Sequence, residues 1–334
     1  MKPIVSVCIP TYNRRALLEK TLDTLRFQTF KDYELIVCDD CSTDGTFEFL
    51  NTLDWPALKV IRNDKNLNLP GTMTRLFTEA RGKYVGMQHD HDLYHPEFLS
   101  KMVKLMETHP TAGFGCCAYR MIDGDDHYLA DRDSSEFYLF PKNGLLPGKD
   151  LMRILATKVH TPIPAMGTIF RKEIVDRVGG YRPDWYLAAD EDLYLRVAAI
   201  SDVAFCRERL FTMRVRPDER RHVLGGWKGL YTLYEFRRET TDRYFGKHTV
   251  FRVVNKWRLT LLQYRALVIE SLYLWLRGDR VHLSKGLDFK TLRHDRKVLN
   301  PISRGLGRLW IGALSVTARF GEALGERIRA KKQL

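Results

Sequence analysis

Short apolar runs alternate with amphipathic stretches through the first third of the chain. Residues 4–9 read Ile-Val-Ser-Val-Cys-Ile and stop at Pro10, a pattern typical of a buried strand. Further strands are predicted at 33–38, 58–62 and 84–88, and helices at 15–28, 46–50, 72–80 and 96–107. Strands that alternate with helices at this spacing predict an α/β fold, a doubly wound, mostly parallel sheet of the Rossmann-like type.

Polar residues follow three of these predicted strands, at the point where each strand ends. The segments are 10–13 (Pro-Thr-Tyr-Asn), 39–42 (Asp-Asp-Cys-Ser) and 90–92 (Asp-His-Asp). Ligands of open α/β sheets bind beyond the carboxyl ends of the strands. The sequence therefore predicts a binding site on that edge of the sheet.

Asp90 and Asp92 are the strongest candidates for binding a metal ion. Two carboxylates two residues apart can reach one divalent cation, and Mg²⁺ and Mn²⁺ both accept oxygen ligands. The alternative is a solvated loop, or a cap for the helix predicted to begin near Pro96. Because a Mg²⁺ site needs no imidazole, His89, His91 and His95 are all expected to have structural or supporting roles.

Four segments, in order and spacing, resemble glycosyltransferase family 2, whose members are inverting, metal-dependent enzymes with a GT-A fold. The segments are 5–14, 28–46, 90–92 and 189–196, and the resemblance covers about residues 3–215. It implies transfer of a sugar from a nucleoside diphosphate sugar to a hydroxyl acceptor, such as a lipid-linked or surface-glycan precursor. The acid at 90–92 would correspond to the family's DxD motif.

The resemblance also implies roles for individual residues. Those expected to line the nucleotide pocket are Pro10, Thr11, Tyr12, Asn13, one of Asp39 and Asp40, and Asp90. Asp90 and Asp92 would hold the metal and the diphosphate. Asp190 stands where the family keeps its catalytic base, but Asp192 follows two residues later, so either could be the base. The alternative for this acidic run is a favourably charged helix N-terminus.

A basic segment flanks Pro217 near the end of this region. Its members are Arg214, Arg216, Arg220, Arg221 and His222. Arginine binds phosphate through two parallel hydrogen bonds, so a mobile loop here could close over the diphosphate. An ordinary solvated linker is the alternative.

Charge divides the chain into two regions. Residues 1–225 carry 31 Lys+Arg and 32 Asp+Glu, whereas residues 226–334 carry 23 and 9. We therefore predict a catalytic domain over 1–225 and a basic C-terminal α-helical extension over 226–334. The amphipathic stretch 306–328 favours either an anionic membrane surface, or packing on the catalytic domain or a second copy of the chain. No nucleic-acid-binding motif is recognisable.

The predicted function is that of an inverting glycosyltransferase, located in the cytoplasm or peripherally on the cytoplasmic face of the membrane. Scattered cysteines and the lack of a signal peptide or spanning helix support this location. One alternative is a catalytically inactive nucleotide-binding or scaffold protein on the same fold. Another is a nucleotidyltransferase, which would need a glycine-rich loop after the first strand, where this chain has Pro-Thr-Tyr-Asn.

Overall fold

The computed structural model describes residues 2–132, 144–157, 163, 167–182, 188–215, 227–246, 250 and 252–259. The predicted helices of the region 260–334 lie outside these residues, as do Arg216, Arg220, Arg221 and His222. The described residues belong to one compact unit, Met1–Leu259, the first of the two units into which the chain divides. None of the described helices combines the length and apolar character that crossing a bilayer requires.

The N-terminal part of the sheet is parallel, as predicted. Its strands lie in the order β3-β2-β1-β4. They are β1 (Val5–Thr11), β2 (Tyr33–Asp39), β3 (Leu58–Arg62) and β4 (Tyr84–Met87). The helices are α1 (Arg15–Arg26), α2 (Thr46–Asn51), α3 (Asn68–Glu79) and α4 (Phe98–Thr108). Apolar side chains of these helices pack on the sheet. Strand β1 pairs with β2 on one side and with β4 on the other, which places the carboxyl ends of the three strands next to one another.

The rest of the described sheet mixes parallel and antiparallel strands, and it was less well predicted. The order continues β4-β9-β6-β10-β5, with β7 beside β6 and β8 beside β10. These strands are β5 (Leu93–Tyr94), β6 (Ala112–Ile122), β7 (Tyr128–Arg132), β8 (Leu145–Leu146), β9 (Thr168–Arg171) and β10 (Asp202–Arg214). The helices are α5 (Gly148–Thr157), α6 (Lys172–Val178), α7 (Ala189–Ala198) and α8 (Trp227–Phe245).

The central strand β6 was not among the strands predicted from the sequence. Ten of its eleven residues are buried, so no alternation of apolar and polar residues marks it as a strand. Two glycines of β6 allow neighbouring elements to approach the strand closely. A Cβ on Gly113 would lie 2.1 Å from Ser201 Oγ, and one on Gly115 would lie 3.0 Å from the Leu105 side chain.

The first compact unit extends past the domain edge predicted near residue 225. Helix α8 contacts α7 through an ion pair in which Arg237 Nη2 lies 2.5 Å from Glu191 Oε2. Further on, Asn255 Nδ2 donates to Ala156 O at 3.0 Å. The described residues that follow the predicted edge thus pack on the catalytic region, while a division of function at that point stays a prediction.

Candidate active site

The three polar segments meet at one edge of the sheet, as the sequence predicted. Strand β1 lies between β2 and β4 in parallel register, so the ends of all three strands are adjacent. The backbone N–H of Asp40 donates to Thr11 O at 2.8 Å, and that of Asn13 donates to Ser42 Oγ at 2.9 Å. Asn13 adopts a φ of 52°, a left-handed conformation that asparagine tolerates better than most residues.

Asp39 and Asp40 are both buried, and both hold the surrounding loops. The two carboxylate oxygens of Asp39 lie 3.3 and 3.2 Å from the Ser42 N–H, and Arg62 Nε lies 3.3 Å from Oδ2. Asp40 Oδ1 accepts hydrogen bonds from Asn63 Nδ2 at 2.7 Å and from the Leu67 N–H at 2.8 Å. Their contact with a base or ribose stays a prediction. Tyr12, by contrast, is 46% exposed at the same edge.

Asp90 is buried beside two basic groups. Its Oδ1 lies 3.0 Å from Arg14 Nη1 and 3.0 Å from His91 Nδ1. Burial would raise the pKa of Asp90, but the hydrogen bond from His91 and the charge of Arg14 outweigh it and hold the pKa below its usual range. No described residue donates a hydrogen bond to the buried Oδ2. Asp90 is therefore ionised and has one oxygen available.

Asp92 is fully buried, and one of its oxygens is held by the backbone. Its Oδ1 accepts the Arg214 N–H at 2.9 Å, while its Oδ2 receives no hydrogen bond from the described part of the chain. Burial raises the pKa of Asp92 to about 6, in spite of the opposing charge of His91. Buried carboxylate oxygens without partners are costly unless a cation compensates them. The residues present thus fit a divalent ion.

Two histidines surround these carboxylates. Burial lowers the pKa of His89 well below its usual value, so its imidazole is neutral. Burial also opposes protonation of His91, but its hydrogen bond to Asp90 and the charge of Asp92 raise its pKa. The two rings stack with their centroids 4.8 Å apart.

The structure corrects the prediction that Arg214 belongs to a mobile loop. Arg214 is the last residue of β10 and is only 3% exposed. Its Nε donates to His91 O at 3.1 Å, and its Nη1 contacts Asp126 in the turn between β6 and β7. The long strand β10 was not predicted, so this arginine was assigned to the basic segment that follows. Its described contacts stabilise the segment that carries Asp92.

The three acids in the first turn of α7 have different environments. Asp192 Oδ2 accepts from Arg196 Nε at 2.8 Å and lies 2.7 Å from Arg196 Nη2. Glu191 pairs with Arg237. Asp190 has no described ion pair, and its Oδ1 accepts a hydrogen bond from the Tyr181 hydroxyl at 2.6 Å. Burial raises the pKa of Asp190 to about 6, although this hydrogen bond opposes the shift.

Tyr181 is a site residue that the sequence did not reveal. Its hydroxyl contacts both Asp190 and the sulfur of Met87, the last residue of β4. Asp190 is thereby held near the strand that leads to Asp90 and Asp92. The local signal is weak: Gly179 and Gly180 end α6 with φ of 82° and 62° just before Tyr181.

The family of the chain follows from a match to a protein-family model. The family model described as Glycosyl transferase family 2 matches residues 6–179, about half of the chain. The chain belongs to glycosyl transferase family 2. The resemblance predicted from the four motifs is confirmed, and the protein is a glycosyltransferase.

Relatives of this glycosyltransferase include both uncharacterised and named proteins. The uncharacterised protein MT1568 of Mycobacterium tuberculosis is 29% identical over 217 residues, which cover 64% of this chain and 67% of the relative. The Escherichia coli protein WfaP is 29% identical over 105 residues, 31% of this chain and 42% of its own. Its name is UDP-Glc:alpha-D-GlcNAc-diphosphoundecaprenol beta-1,3-glucosyltransferase. This chain thus spans less than half the length of WfaP.

Solved structures confirm the GT-A-type α/β fold. Staphylococcus aureus TarS 1–349, in complex with UDP-GlcNAc, matches with a TM-score of 0.57 at 17% identity, over 73% of this chain and 67% of that one. The mannosyltransferase PcManGT from Pyrobaculum calidifontis, in complex with GDP-Man and Mn²⁺, matches with a TM-score of 0.51 at 17% identity. The match with PcManGT covers 95% of this chain and 87% of that protein.

Proposed function

We propose that this glycosyltransferase is an inverting enzyme that uses a nucleoside diphosphate sugar as donor and a hydroxyl group as acceptor. The observation that carries the proposal is the position of Asp190. Through the Tyr181 hydroxyl, this carboxylate is tied to the end of β4, next to the segment that holds Asp90 and Asp92. One edge of the sheet therefore offers both a candidate metal site and a separate candidate base.

Asp90 and Asp92 hold the donor's diphosphate end in this proposal. Each has a buried oxygen to which no described residue donates, and oxygen is the ligand type that Mg²⁺ and Mn²⁺ accept. An ion held by Asp90 and Asp92 would supply Lewis-acid chemistry, namely neutralisation of charge on the departing diphosphate. The Arg214 N–H fixes Asp92, and Arg14, which is partly exposed, places a positive charge beside Asp90.

Asp190 is the proposed general base. A pKa of about 6 makes its carboxylate a better proton acceptor than an ordinary aspartate, while it is still ionised at neutral pH. Asp190 takes the proton from the acceptor hydroxyl as that oxygen attacks the anomeric carbon. A single displacement of this kind inverts the configuration there. Asp192 is less suited to the role because Arg196 binds its carboxylate.

The nucleotide occupies the neighbouring strand ends in this proposal. Pro10 to Asn13 form one wall, and the loop held by Asp39 and Asp40 forms the other. The exposed ring of Tyr12 offers a surface for the base. TarS and PcManGT, with the same fold, were solved with UDP-GlcNAc and GDP-Man, which supports a nucleotide-sugar donor.

The proposed acceptor is a lipid-linked or cell-surface glycan precursor. The name of WfaP specifies a diphosphoundecaprenol-linked acceptor, which supports this class. We place the enzyme in the cytoplasm or on the cytoplasmic face of the membrane, where such an acceptor would be reached. The basic region 226–334, with 23 Lys+Arg against 9 Asp+Glu, is the proposed contact with an anionic surface or a second copy.

A ligand screen tests the proposed donor site. The melting temperature of the full chain is measured with UDP, GDP or dTDP, with and without Mn²⁺. We expect one nucleotide to stabilise the protein only when Mn²⁺ is present, by about 2.7 kcal/mol at a concentration 100 times its Kd. Asp92→Asn should abolish the metal-dependent part, whereas Asp23→Asn, on the exposed side of α1, should keep it.

Turnover completes the test. Each sugar donor is incubated with a lipid-linked acceptor mimic, and release of the nucleoside diphosphate is measured. We expect release only from the donor whose nucleotide raised the melting temperature. Absence of any metal-dependent shift across the three nucleotides would contradict the donor site. A shift without turnover on any donor would favour the inactive nucleotide-binding protein.

A further inference from the structure

The segment that carries the two aspartates also places imidazole nitrogens against one carboxylate. His89 Nδ1 lies 3.7 Å from Asp92 Oδ2, and His91 Nε2 lies 3.9 Å from Asp92 Oδ1. These separations are too long for hydrogen bonds. They suit ligands of a common ion, because two atoms that each lie about 2.1 Å from one metal are roughly 3–4.2 Å apart. The ligand atoms of the three residues all lie within 4.8 Å of one another.

Asp90 orients one of these imidazoles. His91 Nδ1 lies 3.0 Å from Asp90 Oδ1 and is the donor, because an ionised carboxylate only accepts hydrogen bonds. In the neutral ring the lone pair is then on Nε2, the nitrogen nearer Asp92. Arg14 Nη1 fixes the same Asp90 oxygen from the other side. Metal-binding histidines commonly donate their other ring N–H to a carboxylate, which holds the ring in place and makes the free nitrogen more basic.

A second observation points to a ligand at this cluster. Asp92 is 0% exposed, and none of the described residues donates to its Oδ2, the oxygen closest to His89. A cation bound beside this buried oxygen would compensate the cost of burying its charge. Neutral imidazole and carboxylate together form a donor set that first-row transition metals accept, whereas Mg²⁺ prefers oxygen ligands alone.

We propose, building on the donor site above, that His89 Nδ1, His91 Nε2 and Asp92 form a mixed imidazole–carboxylate metal site, oriented by Asp90, that binds first-row transition ions more tightly than Mg²⁺. The two histidines are then metal ligands and do not have the supporting roles predicted from the sequence. The site differs in composition from one built on the two aspartates alone, so it can be tested without turnover.

The structure offers a matched control site. Asp123, Asp125 and His127 also bring their ligand atoms within 4.8 Å of one another, but Asp125 and His127 are exposed. Asp123 Oδ1 already accepts the backbone N–H groups of Asp125 and His127, each at 2.9 Å. This turn satisfies its own hydrogen bonds, so His127→Asn removes an imidazole from an exposed cluster for which no ion is needed.

Pulsed electron paramagnetic resonance on the full chain with one equivalent of Mn²⁺ tests the proposal directly. Nitrogen-14 of a bound imidazole modulates the Mn²⁺ echo, whereas carboxylate ligands do not. We expect this modulation in the wild type. Isothermal titration should show Co²⁺ binding about tenfold more tightly than Mg²⁺, with Mn²⁺ between them, an order that follows from the ligand preference.

Variants assign the signal to residues. His89→Asn and His91→Asn each remove a ligand itself, so Mn²⁺ binding should weaken by at least the roughly 10–100-fold that follows loss of a ligand's hydrogen-bond partner. The nitrogen modulation should be reduced in both. His127→Asn should change neither quantity. Should either variant fail to fold by circular dichroism, the wild-type spectrum alone decides the question.

The opposite results are equally specific. Mn²⁺ bound without nitrogen modulation, with unchanged affinity in both histidine variants, would show that carboxylates alone hold the ion and would overturn the mixed site. The donor site proposed above would survive that result. It fails separately, if no nucleoside diphosphate binds with any divalent ion.

Discussion

The two acidic clusters of this protein contain similar residues in dissimilar environments. In the segment 89–92, two buried aspartates lie together and each keeps an oxygen that no described residue satisfies. In the first turn of α7, three consecutive acids are separated by their partners: Tyr181 for Asp190, Arg237 for Glu191 and Arg196 for Asp192. The comparison teaches that partners and burial, more than residue type, decide which carboxylate can bind a cation, accept a proton or support the fold.

Substitution of the proposed base should have the largest effect. Asp190→Asn removes the proton acceptor, so kcat should fall by about 10²–10⁴-fold while the melting temperature stays near that of the wild type. Asp192→Asn is the matched variant on the same helix turn. Because it breaks the pair with Arg196, it should lower stability more than Asp190→Asn and turnover less. Turnover that survives in Asp190→Asn but not in Asp192→Asn would reverse the assignment.

Glu191, the second of the three acids in the first turn of α7, should have a structural role. Arg237 is 1% exposed, and its loss leaves Glu191 buried without its cation. Breaking one partner of such a pair costs about 3–5 kcal/mol, so Arg237→Met should lower the free energy of unfolding in urea by that amount.

Two further variants check this prediction for Arg237. The double change Glu191→Leu with Arg237→Met should recover most of the loss, because no charge remains buried. Arg243→Met, on the same helix, breaks a half-exposed pair with Glu239 and should cost about 0–1 kcal/mol. Equal losses in Arg237→Met and Arg243→Met would contradict the structural role.

The support for Asp92 can be weakened without touching a carboxylate. Arg214→Met keeps the backbone N–H that binds Asp92 but removes the guanidinium contacts to His91 O and Asp126. We expect Mn²⁺ affinity, measured by isothermal titration, to fall by about 10–100-fold. Arg120→Met, which removes an exposed pair with Asp131 on the neighbouring strands, is the control and should bind Mn²⁺ as the wild type does. Unchanged affinity in Arg214→Met would show that this arginine does not support the metal segment.

The smallest predicted effect is a shift of the pH profile. The Tyr181 hydroxyl stabilises ionised Asp190, so it partly offsets the effect of burial, and the resulting pKa is about 6. Tyr181→Phe removes that hydrogen bond, so the pKa should rise further. The acid limb of kcat against pH should then move upward by roughly 0.5–1 unit, the equivalent of one hydrogen bond.

The other titratable groups near Asp190 stay in place in this variant, namely Glu191 with its partner Arg237, the neutral Tyr194, and Arg196. Tyr84→Phe is the matched control. Tyr84 lies at the opposite end of β4, where its hydroxyl contacts Glu107 of α4. A shift toward lower pH in Tyr181→Phe, or an equal shift in both variants, would contradict the role of Tyr181.

The parallel half of the fold was predictable from local pattern. Strand β3 has the predicted limits, and β1, β2 and β4 deviate by one or two residues, because each is a short apolar run bounded by turn residues. The polar strand ends followed from the topology. Strands β6 and β10 were not predicted. Strand β6 is buried on both faces, so its sequence does not alternate between apolar and polar residues, and β10 shifts register against it. Missing β10 in turn misplaced Arg214.

Contacts between residues far apart in the sequence limited how much of the site could be predicted. Sequence order puts Asp190 and Asp192 in one turn and shows the i,i+4 spacing of Asp192 and Arg196, but it cannot show that the Tyr181 hydroxyl contacts Asp190. It likewise cannot show that His89 and His91 face Asp92, since that depends on how the segment is folded by Arg14 and Arg214. The residue types were visible in the sequence; their partners were not.

The most direct test is an anomalous scattering map from crystals grown with Mn²⁺ and the nucleoside diphosphate sugar that the screen selects. The account predicts one manganese peak in direct contact with Asp92 Oδ2, the diphosphate bound to that ion, and Asp190 on the opposite side of the anomeric carbon. Manganese or nucleotide bound elsewhere, with the segment 89–92 making no contact to either, would contradict it.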